Sequence, residues 1–311
     1  MDVFLFSSAF DHTQIERVRS VIGDDTLHVH DQFEETDNLG PAFMTSQVVF
    51  GNIPASWVPR SPSLEWLQLC SVGISEYCEL DWPALEDRIT LTNLPDFFTE
   101  PVAESILAGI LALYRGVNRL AVLRENSDWQ GDAIRAQLAT LRGAAVVLFG
   151  YGDINRRLEE LLAPFQCNVT RFGSEWTPAQ LDKALAAADV VVSTVPETDG
   201  TIGVFNEARL ALLKNDALFV NFGRGSVVDE AALAAALHRQ AIGGAVIDVT
   251  QEEPLPKTHP FWTAPNMIVT QHSGGGTVDE MDQIIDVFAD NLARYRRGEP
   301  LLGIVDFEKG Y

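Results

Sequence analysis

The chain has 311 residues, 46% hydrophobic and 21% charged, enough for about two domains and a sizeable core without disulfide staples. Forty-four acidic against 22 basic residues leave a net charge of −22, a dispersed coat that repels nucleic acid and anionic lipid, so neither is expected as a partner. The three cysteines, Cys70, Cys78 and Cys167, make no C-x-x-C pair; they read as thiols of a reduced, cytoplasmic chain, with Cys70 and Cys78 buried and chemically idle.

Residues 2–7 lack the basic start of a signal peptide and predict a first strand. Residues 47–51, 66–70 and 89–92 are further candidate strands. Residues 100–119 predict one long helix, whose best apolar run, Val102 to Tyr114, carries Glu104 and falls short of the ~18 residues of a membrane span. From about Arg142 the alternation strengthens. Strands are predicted at 144–149, 167–172, 189–195, 217–221, 244–249 and 267–270, with helices at 155–164, 178–188, 207–213 and 229–239 between them. Continuous apolar strands separated by helices imply an α/β fold with a parallel sheet covered on both faces. A last helix is predicted at 277–298. Residues 1–98 and 277–311 are therefore expected to form one domain around an inserted nucleotide-binding domain, 99–276.

Four motifs follow apolar strands. Gly150-Tyr151-Gly152-Asp153-Ile154-Asn155 opens a helix. Glycines there let the backbone turn toward a pyrophosphate at a helix N-terminus, where free N–H groups favour anions. Asn155 replaces the usual third glycine, which predicts looser packing of helix on strand. Asp153 adds a negative charge that Arg156 and Arg157 offset. After the next strand, Gly173 stands where a ribose-binding acid is usual. Two readings compete: Glu175 takes the ribose of NAD, or Arg171 and Ser174 admit the 2′-phosphate of NADP. The balance falls slightly toward NADP.

The second motif, Asn221-Phe222-Gly223-Arg224-Gly225-Ser226, puts a guanidinium beyond a strand end, a bidentate clamp for a carboxylate. Ser226 or Asp229 is the expected cap of the helix that follows. The third holds Asp248 and Glu253, and the fourth holds His272 and Gly274. An acid and a histidine beyond neighbouring strands can pair, the carboxylate fixing the imidazole tautomer. His12, His28, His30, His238 and His259 read as ordinary surface or turn residues. No metal is expected.

Arg224 in N-x-x-R-G-x-x-V-D, Glu253 in D-V-x-x-x-E-P-L-P and His272 in T-x-H-x-x-G-x-T resemble the Arg-Glu-His set of the D-isomer-specific 2-hydroxyacid dehydrogenases. Leu141-Arg142-Gly143, the run from Ser193 to Thr198 and Val102-Ala103-Glu104 extend the likeness over roughly residues 64–298. The resemblance implies a Rossmann-type, doubly wound nucleotide domain inserted in a smaller flavodoxin-like substrate domain. It implies NAD(P)-dependent reduction of a small 2-keto acid, such as glyoxylate or hydroxypyruvate, to a D-2-hydroxy acid. Arg224 would bind the substrate carboxylate and His272 would move the proton, with Glu253 behind it. Asp248 would hold the nicotinamide carboxamide, and Val195, Pro196, Thr198, Phe222, Gly223 and Gly274 would border the cofactor. Val72 and Gly73 match a loop whose N–H groups meet the carboxylate, with Ser71 in place of its first glycine and Gln271 in place of a common proline.

The alternative is a nucleotide-sensing, non-catalytic protein like the dehydrogenase-like corepressors, which can keep the same three residues. A phosphite or formate dehydrogenase shares the motif region too. The predicted helix 100–119 is apolar around more of its circumference than one domain face needs, and Trp129 follows in a segment with which this family embraces a partner. A homodimer through the nucleotide-binding domain is the expectation.

Overall fold

The computed structural model describes residues 1–7, 10–30 and 40–307. They form two compact units, Met1–Phe97 with Thr277–Tyr311, and Phe98–Gly276. Each is built on a parallel sheet.

In the first unit β1 (Asp2–Phe6), β2 (Thr26–His30), β3 (Val48–Phe50), β4 (Trp66–Gln68) and β5 (Thr90–Thr92) take the order β2-β1-β3-β4-β5. That is the flavodoxin-like order. β2 is absent from the sequence expectation because its residues, Thr-Leu-His-Val-His, are partly exposed at the sheet edge and offer no apolar run. The Glu280–Arg297 helix closes the core: Phe288 stacks on Phe50 with ring centroids 4.2 Å apart. Beside it, fully buried Asn291 donates to Gln68 Oε1 and to the Leu302 carbonyl, each at 2.9 Å, and accepts the Leu302 N–H at 2.7 Å. Every polar atom of that side chain is satisfied, as its burial requires.

The second unit holds β6 (Ala145–Phe149), β7 (Asn168–Phe172), β8 (Val190–Ser193), β9 (Leu218–Asn221), β10 (Gly244–Ile247) and β11 (Met267–Val269), in the order β11-β10-β9-β8-β6-β7. The chain steps from β6 to β7, then crosses back to β8 on the other side. The reversal leaves a crevice beyond the strand ends between β6 and β8, the place where doubly wound sheets bind ligands. β8, β9 and β10 are buried along their whole length, which explains their continuous apolar sequences.

The expected single helix 100–119 is two helices, Thr99–Tyr114 and Val117–Glu125, bent by 68°. Gly116 makes the bend at φ +65°, a left-handed conformation that glycine adopts without steric cost. The first helix lies flat on β10, because a Cβ on Gly109 would come within 2.8 Å of Val246 Cγ1. Its apolar residues are spent on the core, whereas Val117 (54%), Leu120 (44%) and Val122 (57%) on the second helix stay exposed, as does Trp129 (93%). Among the described residues no single helix is long and apolar enough to cross a membrane. Cys78 is exposed rather than buried, since its turn faces outward.

Gly109→Val should therefore overpack the interface between helix and sheet. Val246 is fully buried on an interior strand and has nowhere to move. A loss of about 3 kcal/mol is expected from the urea unfolding midpoint, the upper range for overpacking.

Candidate active site

Beyond β6, Gly150 turns the chain at φ +92°, and a Cβ there would lie 2.9 Å from the Val195 nitrogen. The N–H groups of Gly150 and Tyr151 both donate to the Phe172 carbonyl at 2.9 Å, fixing the turn against the end of β7. The Asp153–Leu162 helix then starts with Gly152 at its cap and open space around that glycine. Asn155 does not loosen this junction. It is fully buried and donates to the Gly150 carbonyl at 3.0 Å and to Thr194 Oγ1 at 2.9 Å, pinning the helix to the loops after β6 and β8. Asp153 pairs with Arg156 at 2.9 Å, while Arg157 is held by Glu100 and Glu160. Free N–H groups at a helix start, glycines at close approach and a locally balanced charge together fit a pyrophosphate.

Arg171, on edge strand β7, is drawn toward the helix. Its Nε donates to Glu159 Oε2 at 2.7 Å and its Nη2 to Glu159 Oε1, with the guanidinium 5.6 Å from the centre of the Tyr151 ring. The Tyr151 hydroxyl donates to the same carboxylate. Arg171 holds Glu159 below the usual carboxylate range, and the bond to Glu159 pushes the Tyr151 hydroxyl up. Gly173 and Ser174 are exposed, with nothing near the position of a Gly173 Cβ. Glu175 is exposed as well.

After β9, the side chain of Asn221 clasps its own turn, accepting the Gly223 N–H and donating to the Arg224 carbonyl. A Cβ on Gly223 would sit 2.4 Å from the Val195 carbonyl oxygen, and one on Gly225 would sit 2.1 Å from the Thr250 carbonyl carbon. Only glycine lets these backbones touch. Arg224 between them is half-buried, bonds to the Gly223 carbonyl, and has no carboxylate within ion-pair distance among the described residues. Asp229, not Ser226, caps the Glu230–His238 helix, accepting the Ala232 N–H at 2.9 Å.

Glu253 and His272 meet: Nδ1 of the histidine lies 2.7 Å from Oε2 of the glutamate. The other glutamate oxygen accepts the Thr250 N–H at 2.9 Å. An ionised carboxylate has no hydrogen to give, so Glu253 accepts this bond from Nδ1, which leaves Nε2 outside the pair. The His272 turn carries Gln271 at φ +57° and His272 at φ +54°. Proline, fixed near −65°, cannot occupy the first of these, so the glutamine here serves a different turn from one built on proline. Asp248 holds that turn. Its carbonyl accepts the His272 N–H at 2.7 Å, and its Oδ1 accepts from Thr270 Oγ1 (2.5 Å), Ser273 N (3.1 Å) and Gly274 N (3.1 Å). Its Oδ2 accepts nothing from the described residues. A Cβ on Gly274 would lie 2.5 Å from the Phe222 ring, so this turn also needs glycine.

The remaining candidates lie on loops. Thr201 Oγ1 donates to the Pro196 carbonyl at 2.7 Å and accepts the Thr198 N–H at 2.8 Å, which ties the loop after Val195 into a turn. In the first unit, Ser71 Oγ donates to the Gly73 carbonyl and accepts from Asn52, while Asn93 donates to the Val72 carbonyl. Ser71 therefore braces the loop that carries Val72 and Gly73. Two residues to which the motifs gave no role take structural parts here, Glu230 and His259. His259 is no surface histidine; its side chain is 18% exposed and faces Glu230. Nothing in its Pro-rich surroundings signals that partner, which comes from a helix start 29 residues earlier in the sequence.

Residues 107–274 match the family described as "D-isomer specific 2-hydroxyacid dehydrogenase, NAD binding domain". A glyoxylate/hydroxypyruvate reductase B of Serratia proteamaculans is 30% identical over 285 residues, covering 86% of this chain and 87% of that one. A mitochondrial formate dehydrogenase of Solanum tuberosum is 31% identical over 260 residues, covering 79% and 68%. The crystal structure of a D-isomer-specific 2-hydroxyacid dehydrogenase family protein from Aeromonas salmonicida superposes with a TM-score of 0.81 at 25% identity, covering 98% and 99%. Fold, order of motifs and similarity agree: the chain belongs to the D-isomer-specific 2-hydroxyacid dehydrogenase family.

Proposed function

We propose that the protein is a 2-keto acid reductase in which His272, Glu253 and Arg224 carry the chemistry, acting on a small substrate of the glyoxylate or hydroxypyruvate class. The observation that carries this reading is the 2.7 Å bond between His272 and Glu253. Reduction of a keto group builds alkoxide charge, so it needs a proton donor and a nearby cation. His272 in its protonated form donates from Nε2 as that charge develops; in the reverse direction the neutral ring takes the proton back. Arg224, whose fork no acid among the described residues claims, receives the substrate carboxylate and polarises the keto oxygen.

When bound, the nicotinamide supplies the hydride. The residues proposed to hold the cofactor are Gly150 to Ile154 at the pyrophosphate, Asp248 through its Oδ2 at the carboxamide, and Val195, Pro196, Thr198, Phe222, Gly223 and Gly274 along its length. Ser174 is proposed to meet the adenosine ribose, with Arg171 in reserve.

His272→Ala should lower turnover of glyoxylate or hydroxypyruvate about 10²–10⁴-fold, the range for lost general acid catalysis. Near-normal turnover in that variant, with nucleotide still bound, would overturn the assignment. Arg224→Lys should fail as well, because an ammonium cannot reproduce the planar fork.

Cofactor preference follows from Gly173, which leaves no carboxylate to repel a 2′-phosphate. While Glu159 holds Arg171, Ser174 is the main donor, and NADPH should be preferred only a few-fold over NADH in kcat/KM. Glu159→Gln frees Arg171 and should widen the preference to about tenfold or more, since one charge-assisted hydrogen bond contributes roughly 1.5–3 kcal/mol. Equal or better use of NADH by both proteins would refute this and point to Glu175.

The exposed Val117, Leu120, Val122 and Trp129 support a homodimer through the nucleotide-binding unit. Light scattering at micromolar concentration should give twice the 34.2 kDa chain mass. A monomer mass would reject the dimer, and Trp129→Ala should shift the balance toward monomer.

A further inference from the structure

Glu253 does not reach His272 unaided. The loop that presents it, Thr250 to Glu253, rests on a buried, hydrogen-bonded carboxylate that the chemistry does not touch. Glu230, first residue of the Glu230–His238 helix, is only 9% exposed. Its Oε1 accepts the Gln251 N–H at 2.8 Å, and its Oε2 lies 3.2 Å from His259 Nε2. The Phe261 N–H donates to His259 Nδ1, so the ring proton sits on Nε2 and points at the carboxylate. The Gln251 side chain adds a bond to the Val228 carbonyl at 3.1 Å.

The peptide between Thr250 and Gln251 is therefore fixed on three sides. Glu230 takes its N–H, Gly225 packs against its carbonyl carbon, and the preceding N–H, that of Thr250, belongs to Glu253 Oε1. That last bond decides which glutamate oxygen remains for His272. The same stack seats the Arg224 turn, because Gly225 is its next residue. A carboxylate suits the post at the start of a helix: it accepts two donors at once, and the helix dipole favours its charge there.

We infer that Glu230, supported by His259, is a positioning residue of the reaction: it holds the Thr250–Gln251 peptide and so aims Glu253 at His272. The inference rests on the roles proposed above for Glu253 and His272. A displacement of about 1 Å in such a set can cost about 10²-fold in rate, so a residue without substrate contact can govern turnover.

The test reads amide hydrogen exchange at Thr250 and Gln251 by NMR, together with kcat for a 2-keto acid and nucleotide affinity by fluorescence. Glu230→Ala should speed exchange at both amides about tenfold or more and lower kcat by about 10- to 100-fold, with nucleotide affinity unchanged. Glu230→Gln keeps an acceptor for the Gln251 N–H but turns its NH2 on the His259 Nε2–H, so both readouts should fall between those of the parent and of Glu230→Ala. Faster exchange at Gln251 alone, with Thr250 and kcat unaltered, overturns the inference. So does a parallel fall of kcat, nucleotide affinity and melting temperature, which marks a general packing role. Should Glu230→Ala not fold, His259→Ala is read the same way at Thr250, faster exchange supporting the inference and unchanged exchange overturning it. A parent protein that reduces no 2-keto acid defeats the proposed function, while the exchange at Thr250 still decides the positioning.

Discussion

One carboxylate oxygen, Oδ1 of Asp248, gathers three donors from the turn that carries His272. That turn places two successive non-glycine residues in the left-handed region, at a cost of about 1–3 kcal/mol each. Asp248 offsets the strain by satisfying the N–H groups of Ser273 and Gly274 and, through its own carbonyl, that of His272. Gly274 must be a glycine so that the turn can lie on Phe222. The imidazole thus inherits its position from a buried acid at the end of β10, and Glu253 only completes the alignment. A fixed backbone is what lets one hydrogen bond select the tautomer.

The acidic composition bears on the same site. With twice as many acids as bases, most arginines of the second unit find a carboxylate: Arg157 has Glu100, Arg171 has Glu159, and Arg209 has Asp182. Arg224 stands half-buried with no such partner among the described residues. An arginine held out of such pairs, by a turn whose flanking glycines are packed on Val195 and Thr250, is prepared for an anion that arrives from solvent.

The strands of the second unit were legible because parallel strands buried on both faces are continuous apolar runs, as in Val190–Ser193 and Leu218–Asn221. β2 was not, since an edge strand with two histidines lacks such a run. The bend at Gly116 was hidden because apolar periodicity runs straight through it, and one glycine inside a helical pattern does not announce a turn. Arg224, Asp248, Glu253 and His272 stand out as candidates because each follows a strand end, and the family resemblance supplies the roles proposed for them. Asn155 was misjudged: glycine at that position serves close packing, and a rule about size cannot see that an amide reaches two acceptors. Glu230 and His259 left no trace, because their meeting depends on three loops that only the folded chain brings together.

The first unit is assembled from both ends of the chain, and its core is finished by the later piece. Gln68 and Phe50 wait, respectively, for the amide of Asn291 and the ring of Phe288. On a ribosome these partners emerge only after the whole of the second unit has left the exit tunnel. The nucleotide-binding sheet can therefore close while β1 to β5 still expose a polar glutamine and a large aromatic face, and a chain released before residue 280 would carry one finished unit and one open sheet face for chaperones to cover.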